Sequence, residues 1–133
     1  MLALYSSKKK DYLSKIQQKD LRKVLNDNWI ILCTPEQIQY QQNFFSLIFN
    51  ENMVDTVIWD EAHVIVSWGN TFRDSYLKAV ETINVLGQQT TDVKVSAFTA
   101  TITSSDSMEM KNLLNMSQPR IIISTHNFLN LNI

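Results

Sequence analysis

The chain has 133 residues, of which 44% are hydrophobic and 19% are charged, and its formal net charge is −1. This composition predicts one globular domain or part of one, and it excludes a broad positive field that would attract nucleic acid, so any such contact would be local. The single cysteine excludes a disulfide framework and a cysteine-based zinc site.

The first predicted elements are two strands separated by a basic helix. Leu2 to Tyr5 is predicted to be a short strand, and a helix capped by Ser6-Ser7 is predicted to run to about Leu25. Its lysines and arginines could contact a nucleic-acid backbone, although most such faces are simply solvated. A turn over residues 26–28 leads to a second buried strand, Trp29 to Cys33, in which the thiol is predicted to be inert.

The segment after this strand carries a helix-start signal. Thr34 is predicted to cap the helix, Pro35 fits its first position and Gln37 completes a capping box. Free N–H groups at a helix start also suit a phosphate. The helix is predicted to continue from Ile38 to Phe49, with a core face formed by Tyr40, Phe44, Phe45, Ile48 and Phe49.

The most informative stretch is a strand that ends in two carboxylates. Val54 to Trp59 is predicted to be a parallel strand buried on both faces, and Asp60 and Glu61 follow it. In parallel sheets, ligands bind beyond the carboxyl ends of the strands. One Asp can anchor Mg²⁺, directly or through water, and a neighbouring Glu can orient or deprotonate an attacking water. Taken alone, an acidic turn after a strand is more often only structural.

The remaining elements repeat the alternation of strand and helix. The pattern predicts a loop from Val64 to Thr71, a helix from Phe72 to Leu86, a stop and turn from Gly87 to Asp92, and a strand from Val93 to Phe98. Ser104-Ser105-Asp106 is predicted to cap a helix to about Met116, and Arg120 to Ser124 is predicted to be a last strand. The inner face of that last helix is predicted to be Met108, Leu113 and Leu114. The fold class is therefore α/β, with a parallel sheet flanked by helices.

The scarcity of glycine excludes one kind of nucleotide site. Gly69 and Gly87 are the two glycines of the chain. The phosphate-binding loop GxxxxGK[ST] needs two glycines five positions apart, so that backbone N–H groups can approach the phosphates. The chain cannot carry a standard loop of this kind.

The acidic turn belongs to a longer motif. Residues 60–63 read DEAH, and residues 64–76 continue as VIVSWGNTFRDSY. This sequence resembles, without a gap, the DEAH motif and aromatic-rich loop of RecQ-family DNA helicases, whose usual form is close to DEAHCISQWGHDFRPEY. The positions retained after the DEAH are Ile65, Trp68, Gly69, Phe72, Arg73 and Tyr76. Asn70 replaces the usual histidine and Asp74 the usual proline.

The resemblance implies a fold and a set of roles. The chain, residues 1–133, would be part of the first RecA-like domain of an ATP-dependent 3′–5′ DNA helicase, without the phosphate-loop strand. Asp60 would hold Mg²⁺, Glu61 would activate water, and His63 would link the nucleotide site to Thr99 and Thr101. Contacts with DNA would come from Thr34, Pro35, Glu36, Trp68, Phe72 and Arg73, whereas Tyr76 is expected to serve packing.

The resemblance also implies cofactors, partners and a structural deficit. ATP and Mg²⁺ would be the cofactors, and the partners would be DNA and the missing remainder of the helicase, with no membrane. The location would be intracellular, nuclear in a eukaryote and otherwise cytoplasmic. Residues 124–130 weakly resemble the SSFDRPN segment that leads to the second motor domain. Because the phosphate-loop strand normally lies between the strand before Thr99 and the final strand, we expect an incompletely packed chain that hydrolyses no ATP alone.

Two other functions are weighed against this one. The chain could be a non-catalytic remnant that binds DNA weakly or docks on a protein through exposed sheet edges and Trp68. It could also be a metal hydrolase that uses Asp60, Glu61 and His63. The second alternative is disfavoured because adjacent residues on one turn do not easily converge on one ion.

Overall fold

The chain forms two pairs of parallel strands with helices after the strands. The computed structural model describes residues 2–4, 20, 23, 25–26, 30–67, 72–90 and 92–124. Strand β1 (Leu2–Leu4) pairs with β2 (Ile31–Cys33), and β3 (Thr56–Trp59) pairs with β4 (Lys94–Ala97). This parallel pairing confirms the predicted α/β class, in which helices connect parallel strands.

Helical segments follow β2, β3 and β4. They are α1 (Pro35–Tyr40), α2 (Gln42–Asn50), a 3₁₀ turn (Ala62–Ile65), α3 (Arg73–Gln88) and α4 (Ser104–Leu113). Before β2, the described residues 20, 23 and 25–26 are helical, so Asn26 continues the first predicted helix and does not begin a turn. Within the described part of the chain, no helix is long and apolar enough to cross a membrane.

One apolar core joins these elements. It includes the aromatic face of α2, the end of β3, the 3₁₀ turn and the inner faces of α3 and α4. Its most deeply buried large side chains are Phe49, Ile65, Val80 and Leu114. The amide of Gln39 on α1 also donates to the hydroxyl of Thr82 on α3, at 2.9 Å. The core therefore fixes α3 against the strand ends, where the acidic turn lies.

Strands β2 and β3 are covered on one face only, whereas the sequence predicted that both of their faces would be buried. Along β2 and β3, more exposed and more buried side chains alternate. Leu32 and Ile58 are exposed, whereas Trp59 is buried. Such alternation is typical of a strand with helices on one side only. The apolar runs indicated strands correctly, but the second covering layer is not present among the described residues.

Several predicted helix limits were also wrong. The helix predicted from Ile38 to Phe49 is interrupted at Gln41, whose backbone angles are not helical, and Tyr40 is exposed. The 3₁₀ turn occupies part of the predicted loop from Val64 to Thr71, and α3 continues through Gly87. A glycine weakens a helix by only about 1 kcal/mol, which tertiary packing can override.

The caps of α1 and α4 differ from the predicted ones. Thr34 precedes α1 and Pro35 begins it, but the Thr34 side chain makes no capping bond, so the predicted capping box with Gln37 is absent. The N-cap of α4 is Thr103, whose hydroxyl accepts from the backbone N–H of Asp106 at 3.2 Å. Leu114, just after α4, is buried and Leu113 packs against the core, as predicted, but the buried methionine is Met110 and Met108 is exposed.

The predicted last strand is not formed. Residues 120–124 have no regular secondary structure, and Ile121, Ile122 and Ile123 expose 64%, 78% and 79% of their surface. A β-branched run favours a strand only when a neighbouring strand accepts its backbone hydrogen bonds. Trp29, Trp68, Asn70 and the segment 125–130, including His126, lie outside the described residues.

Candidate functional site

The parallel register of β3 and β4 brings two candidate segments to one edge of the sheet. Trp59 pairs with Ala97 at the ends of the two strands. Asp60 and Glu61 follow the first strand, and Thr99 follows the second. Asp60 and Glu61 are exposed, and Thr99 is half-buried. Residues 36 or more positions apart in sequence therefore lie side by side at the carboxyl edge, where parallel sheets bind ligands.

Backbone hydrogen bonds hold the acidic turn against β4. The N–H of Phe98 donates to the carbonyl of Trp59 at 2.8 Å, and the N–H of Ala62 donates to the carbonyl of Phe98 at 2.9 Å. Between these two bonds, Glu61 has a left-handed backbone with φ 50° and ψ 40°. An Asp60 carboxylate oxygen accepts from the N–H of Glu61 at 3.0 Å. Left-handed residues other than glycine are strained, so surrounding contacts must hold this conformation.

His63 lies between the carboxylate of Glu61 and the hydroxyl of Thr99. Its Nδ1 is 3.0 Å from Thr99 Oγ1 and 3.2 Å from Glu61 Oε2. The Thr99 hydroxyl itself donates to the carbonyl of Thr101 at 3.2 Å. The Glu61 carboxylate can only accept and the Thr99 hydroxyl is placed to donate to Thr101, so both contacts of the ring are satisfied when His63 carries a proton on Nδ1. This arrangement favours the Nδ1–H form of a neutral His63, in which Nε2 is an acceptor.

The side chains at the acidic turn could provide only some of the ligands that Mg²⁺ needs. Among the residues that the structure describes, no three His, Cys, Asp or Glu side chains converge on one point. A metal site made of this chain alone is therefore not formed at Asp60, Glu61 and His63. Mg²⁺ usually keeps several waters and binds one or two carboxylates together with substrate phosphates. The exposed Asp60 suits that shared mode of binding.

The start of α3 is tied to the acidic turn by two side chains. Arg73 Nε donates to the carbonyl of Ile65 at 2.9 Å. The Tyr76 hydroxyl donates to the backbone carbonyl of Asp60, and its ring lies 5.5 Å from that of Trp59. Burial, with the negative charges of Asp60 and then Glu61, raises the pKa of Tyr76 to about 12, so the phenol remains a donor. Phe72, just before this helix, is 67% exposed.

The predicted DNA-contact segment at the start of α1 also reaches α3. Glu36 has a lowered pKa, chiefly because its own backbone N–H donates to the carboxylate. Burial opposes this shift, whereas hydrogen bonds from the hydroxyls of Thr34 and Ser75 add to it. No sequence pattern indicated the role of Ser75, because a contact between helices about forty positions apart leaves no local pattern. The carboxylate of Glu36 is engaged within the protein.

Cys33, at the end of β2, is half-buried and is not part of this cluster. Burial raises the pKa of its thiol to about 11. A thiol that stays protonated is a poor nucleophile and a poor metal ligand. This agrees with the predicted inert cysteine.

Two comparisons place the chain among known proteins. The profile of the DEAD/DEAH box helicase family matches residues 3–110. The chain is also 29% identical, over 101 residues, to the RecQ-like DNA helicase BLM of Xenopus laevis. The aligned part covers 74% of this chain but only 7% of the frog protein. The likeness is therefore to one small part of a much longer protein.

Proposed function

The chain belongs to the DEAD/DEAH box helicase family, and from this premise we propose that it supplies the acidic and coupling part of an ATP-driven DNA motor. The RecQ-type resemblance is confirmed by the match to the frog helicase. ATP hydrolysis, 3′–5′ unwinding and the individual roles of the residues below are the content of the proposal. The carrying observation is the bond between His63 and Thr99, which joins the DEAH turn to the segment after β4.

In the proposed nucleotide site, the phosphates and Mg²⁺ come from outside this chain. Bound magnesium nucleotide would supply the transferable phosphoryl group and the charge that draws electrons from it. Asp60 would contribute a carboxylate to the metal, and Glu61 would orient a water or accept its proton. The Nδ1–H of His63 is shared between Glu61 and Thr99, so a change at the acidic turn is passed to Thr99 and Thr101.

DNA contact is proposed at the loop before α3. The exposed ring of Phe72 is suited to stacking on an unpaired base, and Trp68, predicted from the sequence, would add a second ring. Arg73 follows Phe72 in the chain, and its Nε donates to the carbonyl of Ile65. Contact of Thr34 and Pro35 with the backbone of a DNA strand is also part of the proposal. The carboxylate of Glu36 is already hydrogen-bonded within the protein, so Glu36 would support this segment. With a net charge of −1, the affinity would be weak and sensitive to salt.

We further propose that this chain alone hydrolyses no ATP, because it contains no GxxxxGK[ST] loop to hold the phosphates. Its partners would be DNA and the rest of a helicase, and its location intracellular, nuclear in a eukaryote and otherwise cytoplasmic.

The test combines two assays on the full chain. ATP turnover is measured with and without single-stranded DNA, and binding is measured by the anisotropy of a labelled oligonucleotide at low and high salt. We expect no turnover above background, and weak binding that falls with salt and falls further in Phe72→Ala. The matched control is Phe98→Ala, a second exposed phenylalanine. DNA-stimulated turnover that Glu61→Gln abolishes would contradict the proposed inactivity, and absence of binding at low salt would remove DNA contact.

The exposed isoleucines favour one alternative, a protein-docking module. Ile121, Ile122 and Ile123 follow one another in a segment without regular structure, and contiguous exposed apolar surface often marks an interface. Sedimentation of the chain distinguishes the two functions, because self-association relieved by Ile122→Lys would indicate docking. A monomer that binds DNA would favour the motor function.

A further inference from the structure

Tyr76 joins the helix that follows the proposed DNA loop to the acidic turn. Its hydroxyl donates to the carbonyl of Asp60, and its ring lies against Trp59, the last residue of β3. We propose that Tyr76 is a positioning residue that holds the Asp60–Glu61 turn, so that the start of α3 and the two carboxylates move together. Its role in coupling rests on the proposed function, whereas its hold on the turn does not.

The turn needs a constraint on the side away from β4. On the β4 side, Phe98 bonds both the carbonyl of Trp59 and the N–H of Ala62. The carbonyl of Asp60 lies between those bonded groups and accepts from Tyr76. Glu61, the next residue, has the strained left-handed backbone. A strained residue persists only where surrounding contacts over-determine it, and the Tyr76 hydroxyl supplies such a contact.

A second hydrogen bond from α3 holds the other end of the segment of residues 60–65. Arg73 Nε donates to the carbonyl of Ile65, at the end of the 3₁₀ turn. Arg73 and Tyr76 are three positions apart and therefore lie on one face of the helix. The side chains of one helical turn thus hold both ends of residues 60–65. A displacement of Phe72 that shifts this helical turn would shift the acidic turn with it.

Tight packing in the core makes this link between α3 and the acidic turn stiff. Ile65 is fully buried, and Ala79 and Val80, one turn beyond Tyr76, are also in the core. Close-packed interiors transmit small displacements because neighbouring side chains have little free volume. The tyrosine was expected from the sequence to serve only packing. The phenol adds a directional bond that a phenylalanine of the same shape would lack.

Amide hydrogen exchange of the full chain, followed by NMR, tests the hold on the turn. Tyr76→Phe keeps the ring on Trp59 and removes only the hydroxyl, and Tyr40→Phe on the exposed part of α1 is the matched control. We expect the Ala62 amide to exchange about fivefold faster in Tyr76→Phe, the equivalent of one net hydrogen bond. The Leu114 amide, bonded to Met110 in the core, should change less than about twofold.

Two results of this exchange experiment would overturn the proposal. One is an Ala62 amide whose exchange is the same in both variants and in the unchanged chain. The other is an equal acceleration at Ala62 and Leu114, which would mean that the hydroxyl stabilises the whole fold and does not position the turn.

A second measurement separates this inference from the proposed function. Single-stranded oligonucleotide is added, and the amide shifts of Phe72 and Glu61 are followed. We expect both to shift in the unchanged chain and only Phe72 to shift in Tyr76→Phe. A Glu61 shift that persists in the variant would overturn the coupling role of Tyr76. If the Phe72 amide of the unchanged chain does not shift, the proposed DNA contact is overturned. The hydrogen-exchange experiment alone then tests whether Tyr76 positions the turn.

Discussion

The Nδ1 atom of His63 lies 3.0 Å from the hydroxyl oxygen of Thr99, although the two residues are 36 positions apart in the chain. The Thr99 hydroxyl donates onward to the carbonyl of Thr101. When the hydroxyl gives its single proton to Thr101, the proton between His63 and Thr99 comes from Nδ1. The geometry therefore favours His63 as a donor through Nδ1.

The first prediction concerns this proton. In alkaline solution, where histidine is neutral, long-range ¹⁵N–¹H spectra should show His63 protonated at Nδ1. Thr99→Val removes one of the two acceptors of this proton and leaves Glu61, so it should shift the tautomer population partly toward Nε2. His126→Gln identifies the signals, since the chain has two histidines. A dominant Nε2–H form in the unchanged chain would contradict the assigned direction of the bonds.

A second prediction separates the charge of Arg73 from its bond to Ile65. Arg73→Lys keeps a cation but loses the planar Nε donor, so it should lower the free energy of unfolding by about 1 kcal/mol, the net value of one hydrogen bond. Urea unfolding measures the loss, with Lys78→Arg on the same helix as control. Affinity for single-stranded DNA should fall only slightly if the charge is what contacts phosphate. Unchanged stability would mean that the bond to Ile65 contributes nothing.

The third prediction uses two isoleucines in opposite environments. Ile65 is 0% exposed in the 3₁₀ turn, whereas Ile122 is 78% exposed. Ile65→Val should therefore lower the free energy of unfolding by about 1 kcal/mol, because it leaves a small cavity. Ile122→Val should change it by less than about 0.5 kcal/mol. Equal effects in urea unfolding would mean that residues 120–124 are packed in solution.

The fourth prediction concerns Cys33, whose thiol pKa is raised by burial from 9.0 to about 11. At pH 8, alkylation by iodoacetamide should be at least about a hundredfold slower in the folded chain than in urea, because the thiolate population is smaller. The protonated thiol favours the folded state fully below pH 9, and this contribution is lost as the pH rises toward 11. Since Cys33 is the only cysteine of the chain, the measured rate of alkylation reports on this thiol alone. Equal rates in both states would contradict a protected thiol.

A fifth prediction follows from Glu36, whose pKa is lowered in the folded chain. A lowered carboxyl pKa stabilises the fold above the ordinary pKa of glutamate, and this contribution disappears as the pH falls through the folded value. Urea midpoints at pH 7 and pH 4 should therefore differ less in Glu36→Gln than in the unchanged chain. Ser75→Ala should also reduce the difference, whereas Glu81→Gln, an exposed substitution on α3, should not. An unaltered pH dependence in Glu36→Gln would contradict the assigned hydrogen bonds.

Local pattern was enough to indicate the order of the strands and helices and the position of the acidic turn. Apolar runs rich in β-branched residues marked β2, β3 and β4, and the Asp60–Tyr76 motif indicated the family. These features are local, since strand propensity and motif spacing depend on residues close together in the chain. The approach of His63 to Thr99 was implied by the family resemblance, and it agrees with the rule that the carboxyl ends of neighbouring parallel strands meet at one edge.

Only the tertiary structure decided which groups share each bond and which faces are covered. The contacts of Tyr76 with Asp60 and of Glu36 with Ser75 join residues with no common pattern in sequence. The segment of residues 120–124 reads as a strand but forms none, because strand formation depends on a neighbour that accepts its backbone hydrogen bonds. The residues themselves thus set the chemistry at the end of β3, whereas long-range packing determines how that chemistry is held in place.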